Sequence, residues 1–523
     1  MATTTPRTVC LLAAGLGTRM GIYADMINKT LLPVHEKAII SHIIDQFPDD
    51  TNFVVAVGYK QEQVMSYLKI AHPTRNFTFV DVGNFSGPGS GPALSVSMCK
   101  HLLRGPFMII ACDALYTGLA QIPTDENVVA VSTIPIERSP DYCNIVTEGD
   151  RVTDIIDKRY CESGIAANGV YNIFDAEKFF ANLSGTELSS GYQNLVTYVH
   201  HIPFVDLGTF EKYQTYYDNS MNSTVSYDYS KTDEFLYFVN NRVVKFFKDI
   251  EITDDRVIRA RYKPLHFPKI NASGQFYGYD FVPGHTLYEN NPIQLFESFV
   301  QWLDTDFWRP LTPAMQSSAA SEYPLTKMMC LSFYYDKTMK RLEKFRQKYP
   351  DFNPHMINNV RVTMNMETVL NQINWDELCG KSLDERTAFI HGDLQFDNII
   401  YSPEEERFVM LDWRQDFAGR LAVGDKYYDI AKLIGGMIIN YDLIKKNQFW
   451  YKEPRPGHVQ IEFTRRSTYD EMIALLRTKF NDPIIDDIVS LIYLNMSPLH
   501  GAPYDKLLFS LALQRLNLKY ANK

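Results

Sequence analysis

The sequence has no CxxC pair. Its seven cysteines (Cys10, Cys99, Cys112, Cys143, Cys161, Cys330 and Cys379) are odd in number and widely scattered. Neither a disulfide framework nor a spaced zinc site is indicated, and a reducing compartment is the simpler setting. There is no run of 18 apolar residues, so no membrane span is expected. The first seven residues lead directly into a strand-like run without the apolar core of a secretory signal, so a cytoplasmic protein is expected. An excess of positive charge is also missing. The formal net charge is -10, which argues against a nucleic-acid binder while leaving room for local basic pockets around phosphates. With 45% hydrophobic and 22% charged residues, the composition is that of an ordinary globular protein. At 523 residues and about 150 per domain, three or four folding units are expected.

What is present is concentrated in two stretches. The first is Phe389, Ile390, His391, Gly392, Asp393, Leu394, Gln395, Phe396, Asp397, Asn398, followed by Met410, Leu411, Asp412 and Trp413. It reads as an apolar strand, a tight loop and a second strand ending in an acid. Phosphoryl transfer needs such a set: one carboxylate takes the proton of the attacking hydroxyl, while an amide and a second carboxylate hold Mg2+. The order Asp393, Asn398, Asp412 follows the kinase catalytic-loop and metal-Asp spacing. With His391-Gly392-Asp393 at its head, the stretch resembles the aminoglycoside phosphotransferase/choline kinase branch of the protein-kinase-like fold.

That resemblance implies Asp393 as catalytic acid/base and Asn398 and Asp412 as metal ligands. It also implies that Lys245, in the hairpin over 235–248, contacts nucleotide phosphates, with Lys248 as its rival. Residues 275–284 resemble the hinge between lobes, residues 292–374 read as helical, and Asp429 falls in an element that resembles a structural one. Choline kinases place an acid soon after the metal Asp, and here Arg414 stands nearest, then Asp416. Both are candidate substrate contacts, and a polyol, sugar or zwitterion suits them at least as well as choline.

The second stretch opens the chain. A buried-type strand over residues 8–14 ends in Ala13, Ala14, Gly15, Leu16, Gly17, Thr18, Arg19 and Met20, with Asn28, Lys29 and Thr30 following. Glycines at a strand end let backbone N–H groups close on phosphate oxygens. A dinucleotide fingerprint would need glycine at position 20, where Met20 stands, and the cations Arg19 and Lys29 suit a triphosphate better. This stretch resembles the signature of sugar-phosphate and phosphocholine nucleotidyltransferases, which usually carry Pro-Lys-Pro where this chain has Asn28-Lys29-Thr30. Further strands and helices alternate over 37–103, with the glycine-rich segment 86–92 opening a helix at 93–103. A strand over 107–113 ends in Asp113, at the sheet edge where open α/β folds bind ligands.

The resemblance implies Ala13, Ala14, Gly15, Gly17, Gly89 and Gly91 as nucleotide contacts and Arg19, Lys29 and Lys158 as catalytic cations. It implies Asp113 and Asp206 as Mg2+ ligands, and Asn168 and Gly169 as acceptor contacts. A polar stretch over 213–231 reads as a linker. The expected fold is an α/β Rossmann-like nucleotidyltransferase domain (1–225) plus an α+β protein-kinase-like two-lobed domain, with lobes at 226–283 and 284–523. The expected activity is bifunctional: ATP phosphorylates a small hydroxylated metabolite, and a nucleotidyl group, with CTP preferred over UTP or GTP, is then transferred to that phosphate. The alternatives are a non-catalytic kinase-like module, or a sugar kinase joined to a sugar-1-phosphate transferase. Mg2+ is the expected cofactor. Expected partners are small-molecule substrates and nucleotides, with no nucleic acid or membrane and with homo-oligomerisation left open.

Overall fold

The computed structural model describes residues 7–221, 233–311 and 324–521. The chain divides into two compact units. Of the described residues, the first comprises 7–221, 233–250 and 271–280, and the second 251–270, 281–311 and 324–521.

In the first unit the strands are β1 (Thr8–Leu12), β2 (Asn52–Val57), β3 (Asn76–Asp81), β4 (Phe107–Ala111), β5 (Ala114–Tyr116), β6 (Asn127–Thr133), β7 (Cys143–Glu148), β8 (Arg151–Asp157), β9 (Ile165–Ile173), β10 (Thr197–His201) and β11 (Phe204–Asp206). Among the described residues, nine of them form one sheet in the order β3-β2-β1-β4-β9-β6-β10-β8-β7. β1 runs parallel to both β2 and β4, so its side chains meet a covered face on each side. Val9 and Leu11 enter one core while Cys10 enters the other. That double burial is why β1 reads as a continuous apolar run rather than an alternating one. Helices α1 (Gln61–Ala71) and α2 (Pro92–Cys99) follow β2 and β3, the connection parallel strands require.

The polar stretch expected to be a linker from residue 213 is helical at its start, within α3 (Phe210–Met221); residues 222–231 of it lie outside the described residues. Tyr213 explains the difference: it is buried and its hydroxyl donates to Pro33 O at 2.7 Å.

The expected boundary at residue 226 also differs from the packing. Strands β12 (Glu234–Val239), β13 (Arg242–Phe247), β14 (Asn271–Ser273) and β15 (Phe276–Asp280) form a sheet in the order β12-β13-β15-β14 that belongs to the first unit. Its physical anchor is α1. Tyr67 packs edge-on against Tyr237 and Phe276, Ser66 Oγ lies 2.9 Å from Ser273 Oγ, and a Cβ on Gly278 would come within 2.5 Å of Ile70 Cγ2. The apolar face of this sheet is thus spent on α1, and 226–283 does not stand as a lobe of its own.

The second unit contains α4 (Ile250–Tyr262), α5 (Lys337–Lys348), α6 (Lys426–Ile438), α7 (Ile484–Met496) and α8 (Tyr504–Tyr520). Its short strands include β16 (His285–Thr286), β17 (Thr387–Ala388), β18 (Ile399–Ser402), β19 (Arg407–Met410) and β20 (Gly424–Asp425). β18 and β19 form an antiparallel pair, with β16 on the other edge of β18. α6 is buried along most of its length, which its Ile-Ala-Lys-Leu-Ile-Gly-Gly-Met-Ile run dictates. The expected helical region 292–374 contains Ile293–Trp302 and α5, and residues 312–323 of it lie outside the described residues. No described helix is long and apolar enough to cross a membrane.

Candidate functional site

In the first unit, β4 delivers Asp113 and the β5–β11 ribbon delivers Asp206, which stands opposite Ala114. Leu207 N donates to Asp113 O at 3.0 Å, fixing the two acids together. A Cβ on Gly208 would sit 3.2 Å from Asp206 Oδ1 and 3.4 Å from Asp113 Oδ2. Both carboxylates therefore border one small cradle that glycine leaves open. Lys29 Nζ donates to Asp113 Oδ2 at 2.6 Å, and Lys212 Nζ pairs with Asp206 Oδ2. Burial would raise the Asp113 carboxyl, but Lys29 and Arg19 overcome it and hold the group below its usual range. Burial lowers the Lys212 ammonium, and the Asp206 bond more than reverses this.

Lys29 is aimed by its neighbours. Asn28 is fully buried; its Nδ2 donates to Ala13 O (3.1 Å) and Tyr59 O (2.8 Å), and its Oδ1 accepts from Thr30 N (3.0 Å) and Thr30 Oγ1 (2.9 Å). The side-chain bonds of Asn28 and Thr30 thus supply the order that flanking prolines would. Gly15 and Gly17 arch over Lys29: a Cβ on Gly17, which has φ +64°, would lie 3.4 Å from Lys29 Cβ. Ala13 and Ala14 are buried beneath the loop, and Ala14 O accepts from Tyr59 N at 3.0 Å. Gly89 has φ +83° with open space where a Cβ would go, whereas a Cβ on Gly91 would strike Thr186 O at 2.5 Å. Gly91 is required by packing at the start of α2.

Asn168 and Gly169 lie at the bulge of β9, beside the end of β4. Gly169 has φ +97°, and a Cβ there would come within 2.9 Å of Ala111 Cβ. Asn168 is buried, with its Nδ2 on Ser132 Oγ at 3.2 Å and its Oδ1 buried without a hydrogen-bond partner. The Lys158 ammonium, expected at the reacting phosphates, is held instead by Glu187 at 2.6 Å and is 58% exposed. Lys212, which sequence reasoning missed, takes the place beside Asp206. Tyr142, also missed, links the two regions: its O accepts from Lys158 N at 3.0 Å and its hydroxyl donates to Asp206 Oδ2 at 3.1 Å. The available signal was Lys212 in the first turn of the helix after Asp206-Leu207-Gly208.

In the second unit, His391, Gly392 and Asp393 form the loop before β18. Asp429 of α6 accepts His391 N and Gly392 N, each at 2.7 Å, and Trp308 Nε1 at 3.0 Å. Burial pushes the Asp429 carboxyl up to about 6 despite those donors. Asp393 N donates to His391 Nδ1 at 3.2 Å, so the ring proton sits on Nε2, which donates to Leu411 O at 2.8 Å. Burial lowers the imidazole to about 4, so His391 is a neutral brace between Asp393 and the strand preceding Asp412.

Lys432, missed from sequence, places Nζ 2.7 Å from Asp393 Oδ1. Burial alone would raise the Asp393 carboxyl, but the Lys432 ammonium brings it below its ordinary value. Gln395 Nε2 donates to the same oxygen at 2.9 Å. Asn398 donates through Nδ2 to Asp393 O at 2.9 Å, a bond that does not use its amide oxygen. Asp412 has φ 52° and accepts Arg256 Nη1 at 2.6 Å; Arg256, on α4, was not foreseen. Arg414 N donates to His391 O at 3.0 Å, and Arg414 Nε donates to Asp416 O at 3.0 Å. Lys245 falls in the first unit, on β13 between Leu236 and Tyr277.

The two acid sets differ in how well they suit Mg2+. The cradle at Gly208 has two carboxylates converging on one space, which fits an ion that takes one or two protein carboxylates and completes its shell with phosphate and water. Asp412 with the amide oxygen of Asn398 is a sparser set, shared with the Arg256 cation. Among the described residues, no group of three or more His, Cys, Asp or Glu could hold a metal.

Comparison with known proteins bears on the first unit. Residues 9–124 match the MobA-like NTP transferase domain. The bifunctional protein GlmU of Methanococcus maripaludis is 24% identical over 170 residues, covering 31% of this chain and 39% of its own length. GlmU of Methanocaldococcus jannaschii is 26% identical over 198 residues, covering 37% and 46%. The chain thus spans less than half the length of these relatives. Among solved structures, a UDP-glucose pyrophosphorylase complexed with UDP-glucose is 17% identical, covering 42% of this chain and 100% of its own, with a TM-score of 0.36. HddC from Yersinia pseudotuberculosis is 16% identical, covering 41% and 99%, with a TM-score of 0.33. The match to the MobA-like NTP transferase domain thus lies in the amino-terminal part of a longer polypeptide.

Proposed function

We propose that the chain is a bifunctional enzyme. Its first unit transfers a nucleotidyl group from a nucleoside triphosphate to a phosphate compound, and its second makes that compound by phosphorylating a hydroxyl. The observation that carries the first half is the convergence of Asp113, Asp206, Lys29 and Lys212 on one cradle. The acceptor phosphate oxygen attacks Pα; that P–O bond forms, the bond from Pα to the oxygen bridging to Pβ breaks, and pyrophosphate leaves. The nucleophile is already an anion, so no base is needed. The barrier is then largely repulsion between anions, which Lys29, Lys212 and Arg19 reduce. Mg2+ held by Asp113 and Asp206 would supply further charge neutralisation of the phosphates. Asn168 and Gly169, at the bulge of β9 beside the end of β4, would lie on the acceptor side.

In the second unit Asp393, kept ionised by Lys432, receives the proton of a substrate hydroxyl as its oxygen bonds to Pγ of ATP and ADP departs. Asn398 and Asp412 would hold Mg2+ there. CTP is the preferred nucleotide, on the resemblance of residues 89–92 and 28–30 to cytidylyltransferases of capsule pathways; UTP or GTP with a sugar phosphate is the alternative. The product is an NDP-activated precursor for surface polysaccharide decoration. A second reading, in which the second unit binds without transferring, draws on the Arg256 cation seated on Asp412.

The test is a matrix of ATP, CTP, UTP and GTP against polyols, sugars, choline and ethanolamine, read by mass spectrometry for the NDP conjugate. Asp113→Asn should stop the pathway at the phosphorylated compound and Asp393→Asn before it. Wild-type protein that forms no ADP with any member of the panel favours the second reading.

A further inference from the structure

We propose that the hydroxyl compound phosphorylated at Asp393 is itself an anion, whose carboxylate or phosphate is bound by Lys337, Arg341 and Arg414. The inference rests on the phosphotransfer reading of the second unit and names its substrate class.

The three cations belong to a closed circuit of contacts around the catalytic loop. Lys432 reaches Asp393 at 2.7 Å, and Tyr428 lies one turn before Lys432 on α6. The Lys337 ammonium lies 5.7 Å from the Tyr428 ring centre and 4.2 Å from that of Phe333. Phe333 stacks on Phe417 at 4.1 Å and meets Tyr428 edge-on at 4.8 Å. The Arg414 guanidinium is 5.1 Å from the same Phe333 ring. Arg414 closes the circuit, because a Cβ on Gly392, the residue before Asp393, would come within 2.6 Å of Arg414 Cβ. Arg341 stands one turn beyond Lys337 on α5, near enough for the Arg414 charge to act on it.

Two of these charges, Lys337 and Arg341, lack counter-ions. Among the described residues neither Lys337 nor Arg341 forms an ion pair or a hydrogen bond. Arg414 pairs with Asp416, whose Oδ1 is 3.9 Å from Arg414 Nε and whose Oδ2 accepts from Gly419 N at 2.6 Å. Burial, then the charges of Arg414, Arg341 and Lys432, drives the Lys337 ammonium well below its usual value. Like charges gathered on a buried aromatic floor are unfavourable unless an anion joins them, and guanidinium groups match the planar oxygens of carboxylate and phosphate. A cationic alcohol would be repelled by the same groups. The anion anchors the acceptor; its hydroxyl oxygen bonds to Pγ, the bond from Pγ to the bridging oxygen of ADP breaks, and the proton passes to Asp393.

The full-length protein should be assayed for ADP formation from ATP with matched acceptors: glycerol, glycerate, glycerol 3-phosphate and ethanolamine, then glucose, glucuronate and glucose 6-phosphate. An anionic member should exceed its neutral counterpart at least tenfold in kcat/KM, and the carboxylate and phosphate arms identify which anion is used. Lys337→Gln and Arg341→Gln should raise the acceptor KM about tenfold while the ATP KM holds. Arg414→Lys should retain more of the preference than Arg414→Gln. If Arg414 variants fail to fold against Gly392, the two α5 variants carry the test. A neutral or cationic acceptor preferred over its anionic match overturns the proposal, as does a loss confined to the ATP KM or an anionic preference that survives in both α5 variants. No acceptor-dependent ADP from any member, while pyrophosphate release from the first unit persists, instead overturns the phosphotransfer reading and this proposal with it.

Discussion

Asn28→Ala removes the side chain that aims Lys29. Asn28 is fully buried and its amide makes four hydrogen bonds, to Ala13 O, Tyr59 O, Thr30 N and Thr30 Oγ1. At about 1 kcal/mol net per bond the sum is about 4 kcal/mol, and two bonds sharing one oxygen bring it nearer 3 kcal/mol. The buried Ala13 carbonyl also loses the amide donor, which keeps the loss from shrinking further. Against a typical total of about 5–15 kcal/mol for a domain, this is a large fraction. Thr30→Val removes only the hydroxyl bond and should cost about 1 kcal/mol. Urea unfolding of the full-length protein gives the stability change, and pyrophosphate release reports on Lys29. In Asn28→Ala the transition of the first unit should move by about 3 kcal/mol, with kcat/KM for the triphosphate falling about 10- to 100-fold as the ammonium loses its aim. A change below about 0.5 kcal/mol with unchanged pyrophosphate release would refute the reasoning.

Other outcomes follow from the same contacts. Lys432→Met removes the main opposition to burial at Asp393, so its proton affinity rises; the acid limb of the pH profile for ADP formation should move up by about 1–3 pH units, and an unmoved limb contradicts the pairing. Gly169→Ala forces a side chain into φ +97° and against Ala111, and should destabilise the first unit by about 1–3 kcal/mol in urea. Asp429, pushed up to about 6 by burial, binds a proton more readily folded than unfolded. Its contribution to stability is complete below the unfolded carboxylate value and is lost as pH rises through about 6; Asp429→Asn should flatten that part of the stability curve measured between pH 4 and 7.

The parts of this molecule legible in the sequence are those encoded over short spans. The apolar run of β1, the glycines over Lys29 and the acid ending the strand at Asp113 are local patterns. The same holds for Asp393 and Asn398, whose spacing is set by a single loop and one short helical turn. What was not legible depends on partners far along the chain. Lys158 has a binding-like position in sequence, yet Glu187, 29 residues later, captures its ammonium. Lys212 and Tyr142 reach Asp206 from different elements, and Arg256 reaches Asp412 across 156 residues. The strands over 234–280 looked like a separate lobe because their alternation gives the hydrophobic face but not what covers it. Tyr67, Ser66 and Ile70 of α1 supply that cover. Lys432 stands in a run of apolar residues, and only the fold shows that its charge lies at Asp393.

The central claim is that Asp113 and Asp206 work as one site. Its most direct measurement is Mg2+-dependent pyrophosphate release by the wild-type protein, Asp113→Asn and Asp206→Asn, with ADP formation followed in the same reactions. Release should fall about 100- to 1000-fold in each variant while ADP formation is unchanged. Release that persists in either variant would contradict the account.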